Sequence, residues 1–173
     1  MKFLKPQLWL VVLLMVFTAC DNDDDNSNSV ELTIENLAGT YNITFLENST
    51  ENTQIASNGE EVVIETQDCI GDTFTNVQFT FNIDGTATFS GSFREVCLTT
   101  INGNVTEDSE IVDLEDMGPF SVNSTNNTII FNGLSADVTL FNGTDLQLEI
   151  IDIDTFEDET ETFTSEIRMV REY

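Results

Sequence analysis

Val77-Gln78-Phe79-Thr80-Phe81-Asn82-Ile83-Asp84-Gly85-Thr86-Ala87-Thr88-Phe89-Ser90-Gly91-Ser92-Phe93 is nearly symmetric about Asp84-Gly85. Val77, Phe79, Phe81 and Ile83 alternate with polar residues, and after the interruption Ala87, Phe89, Gly91 and Phe93 alternate back. Successive side chains of a strand point to opposite faces, so a period of two predicts two half-buried strands. The Asp-Gly pair between them supplies the positive φ that a tight hairpin turn needs.

The same period runs outward in both directions. Upstream, Tyr41, Ile43 and Phe45 alternate from Thr40, Asn48 to Gly59 reads as a polar loop, and Glu61 to Thr66 reads as a strand ending near Cys69. Before them, Thr33 is placed to cap one helical turn, Gly39 to end it in a left-handed conformation, and Leu37 to face the core. Downstream, Val96 to Ile101 and Val105 to Leu114 meet at Asn102-Gly103. Phe120 to Val122 and Thr128 to Asn132 flank a turn cluster at Ser124 to Asn127. Val138 and Leu140 precede Asn142-Gly143, after which Leu146, Leu148 and Ile150 continue the pattern. Phe163 to Tyr173 is the last strand, with Phe163, Ile167 and Met169 on one face. No long helix is signalled beyond residue 19. Eight or more short strands joined by tight turns predict an all-β, eight-stranded up-and-down meander barrel, because closure removes the unpaired edges that template aggregation. A two-sheet β-sandwich is the alternative.

The N-terminus follows a different rule. Lys2 and Lys5 precede an apolar run from Leu8 to Phe17, small residues follow, and then Cys20, the order of an export signal. The run is shorter than the ~20 apolar residues that a spanning helix needs. Thr18-Ala19-Cys20 resembles the lipobox of bacterial lipoproteins, with Phe17 where Leu is usual. The resemblance implies removal of residues 1–19, acylation of Cys20 and attachment to a membrane through that N-terminal lipid, with soluble secretion as the alternative. Residues 20–30 then form an acidic tether, too polar to bury a core, and 31–173 a single domain of normal size. The run Asp21 to Asp25 is similar to the acidic export signals of some outer-membrane lipoproteins. It implies an outer-membrane anchor facing the cell exterior, with the periplasmic face and inner-membrane retention as alternatives.

Cys69 and Cys97 remain once Cys20 is set apart, and an oxidising compartment favours a disulfide between them over two buried free thiols. The charge is one-sided. Against 32 acidic residues, the chain beyond Cys20 carries Arg94, Arg168 and Arg171 and neither lysine nor histidine. Such a surface repels nucleic acid and anionic headgroups.

Leu37-Ala38-Gly39-Thr40-Tyr41, Phe81-Asn82-Ile83-Asp84-Gly85-Thr86 and the C-terminal strand together resemble the lipocalin-like domains of bacterial envelope lipoproteins. Lipocalins place a Trp in the first strand and cover it with an arginine from the last. Tyr41 stands where that Trp would be, and the resemblance implies that Arg168 or Arg171 closes the barrel floor against it.

Without histidine or lysine, the usual general base and the Ser-His, Cys-His and Schiff-base routes are missing, so no catalytic residue is assigned and the chain reads as a non-enzyme. No cofactor motif occurs. Zinc and redox metals lack nitrogen or thiolate donors, and no metal site is assigned. The acidic groups at Asp152 to Glu159 and Asp108 to Asp116 lack calcium-loop spacing and read as solvated strand ends. Phe45, Phe79, Phe81, Phe89, Phe93, Phe131 and Phe141 compete for the interior, while Ala87, Gly91 and Ala136 are where space would be left. The expected function is therefore a surface lipoprotein whose barrel binds a small hydrophobic ligand. The alternative is a solid domain that binds another envelope protein.

Overall fold

The computed structural model describes residues 30–114 and 118–173. The expected export signal, Cys20 with its expected acylation, and the acidic run to Ser29 lie outside the described residues, as do Glu115, Asp116 and Met117. One helical turn, α1 (Ile34–Leu37), precedes nine strands. These are β1 (Gly39–Ile55), β2 (Glu61–Phe81), β3 (Thr86–Ile101), β4 (Asn104–Asp113), β5 (Gly118–Asn123), β6 (Thr128–Phe131), β7 (Leu134–Phe141), β8 (Asp145–Phe156) and β9 (Glu159–Arg171).

Each strand pairs antiparallel with the next along the chain, from β1 to β4 and from β5 to β9. β4 lies along Ser92–Ile101 of β3 and β5 along Thr86-Ala87 of the same edge, so the two occupy one strand position broken after Leu114. β1 pairs with β9 and closes the ring. The result is an up-and-down meander of eight strand positions closed on itself, not two stacked sheets.

Three expectations about the strands change. Asn48 to Ile55 is not loop but the second half of β1, and Cys69 lies in the middle of β2 rather than near a strand end. These stretches are polar on both faces, so alternation does not mark them, and their backbone bonds to both neighbours hold them extended. Phe45 does not face the core. A register shift between Ile43 and Phe45 turns the strand over, so that Leu46 is buried and Phe45 lies on the outside. Ala38 ends α1, and Gly39, at φ +150, follows it and starts β1. Thr33 does cap the helix, its hydroxyl accepting from the Asn36 N–H at 3.1 Å.

The Asp84-Gly85 turn also differs in type. Gly85 has φ +82, whereas Asp84 is not in the left-handed region, and Ile83 sits in the turn, 71% exposed. The loop closes through Asn82 N–H to Thr86 C=O at 2.8 Å. The Asp84 carboxylate accepts from the Thr86 N–H (3.0 Å) and hydroxyl (2.6 Å), which holds its carboxyl below the usual range. Asn102-Gly103, at φ +52 and +78, and Asn132-Gly133, at φ +50 and +96, are two-residue turns with both positions left-handed.

The core is aromatic. Phe79 stacks on Phe81 at 4.3 Å between centroids and meets Phe89 edge-on at 4.2 Å, and Tyr41 and Phe120 approach Phe81 edge-on at 5.7 and 5.2 Å. Such contacts contribute about 0.5–1.5 kcal/mol each beyond area burial. Ala87 and Ala136 are fully buried in this cluster. Gly91 leaves no space for a ligand: a Cβ there would lie 2.3 Å from the Asn76 carbonyl oxygen, because β2 bulges against it between Asp72 and Gln78.

Candidate functional site

The barrel has two unlike ends. At one, α1 and the buried Leu32 and Leu37 form the floor. The Tyr41 hydroxyl donates to the Leu37 carbonyl at 2.9 Å and accepts from Arg171 Nε at 3.1 Å. The Arg171 Nη2 donates to the Leu37 carbonyl at 3.3 Å and also to the Asn36 carbonyl. Its guanidinium carbon lies 5.1 Å from the Tyr41 ring centre. One cation thus covers the ring and satisfies carbonyls at the helix C-terminus, where positive charge is favoured. Burial pushes the Tyr41 hydroxyl above its ordinary 10.0, and the hydrogen bond from Arg171 draws it partly back.

Arg168 is elsewhere, which corrects its candidacy for the floor. It points outward, with its guanidinium carbon 4.5 Å from the Phe45 ring centre and Nε donating to Glu166 at 2.6 Å. The reason is parity: Arg168 and Arg171 are three apart, an odd step in a structure of period two, so only one of them can reach the inner end. Arg94 likewise lies outside, forked onto Asp72.

Cross-strand partners divide the inside into levels. Leu46, Ile167, Leu148 and Val138 make one apolar level. Above it, Asp108, Cys97, Cys69, Asn48, Ser165 and Ile150 are successive partners across six strands. Cys69 and Cys97 form a disulfide here, directly opposite each other with Cα atoms 4.0 Å apart. Higher still come Thr106, Thr99, Gln67, Thr50, Phe163 and Asp152, and then Ile101, Glu65, Asn52, Glu161 and Asp154. The disulfide level is therefore where the interior changes from apolar to polar. Asn48 Nδ2 donates to Glu95 Oε1 at 3.1 Å, and a hollow of about 120 Å³ opens among Gln67, Glu95, Cys97, Asp108 and Glu110.

At this end the wall is incomplete. Among the described residues, β7 pairs with β8 no further than Ala136 and Ile150, and β4 pairs with β3 alone, so the remaining strands form an open sheet ordered β4-β3-β2-β1-β9-β8. Phe163, half-buried on the open side of the disulfide level, rests on the core where it opens, while Val112 and Leu114 pack against the core beside Phe93 and Gly91. Of the acidic groups noted in the sequence, Asp152 and Asp154 share the inner face with Phe163, while Glu157 lies in the β8–β9 turn at φ +57. Among the described residues, the one close trio of potential metal donors is Cys69, Glu95 and Cys97, and its two thiols are joined in the disulfide.

No family model matches this chain, and no curated protein does. Among solved structures it is similar to the S-type phycobiliprotein lyase CPES from Guillardia theta, at 11% identity, over 81% of this chain and 90% of that one, with a TM-score of 0.28. A likeness of that size carries nothing about ligand or activity.

The open end is the part that sequence reasoning missed. Its signal is present in the composition of Asn48 to Ile55, where Asn, Ser, Thr and Glu stand without a glycine or proline to turn the chain.

Proposed function

We propose that this is a non-enzymatic, lipid-anchored lipoprotein of the outer envelope, with a lipocalin-like barrel that takes a small hydrophobic ligand at its open end. The observation that carries the ligand is Phe163, a half-buried apolar side chain set between Thr50 and Asp152 on the inner face of an otherwise polar opening. Charge narrows the ligand. Glu65, Glu95, Asp108, Glu110, Asp152 and Asp154 lie on the same side of the sheet as Phe163, and the three arginines sit at the floor or outside. A neutral or cationic molecule fits that field and an anionic one does not.

The anchor fits the same reading. Val30 packs beside Gly143 in the β7–β8 turn, next to the Arg171 floor, so the chain enters the domain at its closed end. An acyl group on Cys20 would then hold the floor towards the membrane and leave the opening turned away from it. Titration with a neutral naphthylamine dye tests the ligand site, alongside native mass spectrometry of the protein after exposure to envelope extract. Saturable dye binding that Phe163→Glu abolishes, in a protein that still unfolds cooperatively in urea, is the expected result. Binding that ignores this substitution, with no small molecule retained, removes the ligand from the reading.

A further inference from the structure

We infer that the free edge of β4 takes an extended, Lys- or Arg-rich segment of another protein as an added antiparallel strand. The hairpin register identifies which backbone groups are free. The Asn102-Gly103 turn is closed by Ile101 and Asn104, and in a two-residue hairpin the closing residues bond each other, so the even-numbered residues of β4 bond to β3. Val105, Glu107, Ser109 and Ile111 consequently direct their N–H and C=O groups away from the sheet, and among the described residues no strand pairs with that edge. Ser109 shows the consequence: its N–H has turned to the carboxylate of Asp108 at 2.8 Å, a local substitute for a missing strand. By the same argument the Arg171 N–H to Thr144 C=O bond of 2.8 Å assigns the even residues of β8 to β9, leaving Ile153 and Thr155 free on the far rim.

The occupant follows from charge. Natural edges are protected against pairing by lysine, proline or inward charge. β4 has only one of these devices, acidic side chains at Glu107, Asp108, Glu110 and Asp113. A second copy would set carboxylates opposite carboxylates, since each of the three arginines is engaged elsewhere. A basic segment meets the opposite situation, because the same charges attract it. The two faces of β4 specify its pattern further. Asp108 and Glu110 point with the inner set of side chains, while Val105 and Ile111, each 64% exposed, point outward. A strand alternating Lys or Arg with Val or Ile places its cations beside the inner carboxylates and its apolar residues beside Val105 and Ile111.

Hydrogen exchange on the full chain in detergent, titrated with a peptide of about nine residues alternating Lys and Val, tests this. The expected result is protection, by about tenfold or more, of the Glu107, Ser109 and Ile111 amides, with little change at Asp108 and Glu110, which already bond to β3. Binding should weaken about tenfold from low to physiological salt. The paired substitution Asp108→Lys with Glu110→Lys should transfer the preference to a Glu-Val peptide. Equal binding of a proline-interrupted Lys peptide would reduce the contact to charge alone and overturn strand addition. Self-association through β4, or protection elsewhere only, overturns it as well.

Discussion

The floor and the open end are built from the same five strands, β1, β2, β3, β8 and β9, yet they are held by different forces. Near the floor, one face of each strand is apolar and buried, and eight strand positions enclose Tyr41, Phe79, Phe81 and Met169. At the open end the inner face is largely polar, apolar residues such as Leu98, Val105, Ile151 and Ile153 lie exposed on the outer face, three wall strands stop short, and the backbone ladder and one disulfide do the holding. Burial makes the first end intolerant of change. Solvation makes the second permissive and leaves it free for binding.

The largest expected contrast comes from two glycines. Gly91→Ala puts a methyl group 2.3 Å from the Asn76 carbonyl oxygen at a backbone φ of +96, and should cost about 3 kcal/mol or more in urea unfolding. Gly103→Ala, in the β3–β4 turn with nothing within 4 Å of the new atom, carries only the cost of its positive φ, about 1 kcal/mol. If the two losses are equal, the two ends do not differ in packing as described.

Next in size are the two arginines of β9. Arg171→Leu removes the cover of Tyr41 and the donors to the Asn36 and Leu37 carbonyls, and should cost about 2 kcal/mol. Arg168→Leu removes a surface pair with Glu166 and should shift the urea midpoint much less. A larger loss at Arg168 would reverse the assignment of the floor.

The smallest effects are in pH. The folded-state value of Tyr41 is raised, so its contribution is complete below its ordinary 10.0 and is lost as pH rises through the raised value. Tyr41→Phe should flatten that alkaline fall in melting temperature. Asp72, forked by Arg94, and Asp84, in the first hairpin, are lowered. Their contribution is present above 3.8 and lost as pH falls through their lowered values. Both are exposed, so the acid slope they produce should be slight, and Asp72→Asn should remove part of it without moving the alkaline limb.

The floor is largely legible in the order of the residues alone. Tyr41, Phe79, Phe81, Ile167 and Met169 announce their faces by alternation, and Thr33 announces its cap. The site at the open end is not legible in that way. Phe163 is recognisable as a strand residue, but nothing local says that it lies one level above the disulfide with the wall missing beside it. That depends on where β7 stops relative to β8, a relation between distant segments.

The amino-acid sequence by itself determined the local terms: period-two strands, left-handed turns at Asn102-Gly103 and Gly85, and a surface with three arginines against an excess of carboxylates. Tertiary structure alone decided which face each strand shows beyond a bulge, as at Phe45, and which arginine reaches Tyr41. It also decided that polar segments such as Asn48 to Ile55 are strands at all. The physical reason is that a side chain's period reports a face only until a bulge resets it. A polar segment becomes a strand through backbone bonds to partners far away in the chain, and its own residues offer only the lack of a glycine or proline that would turn it.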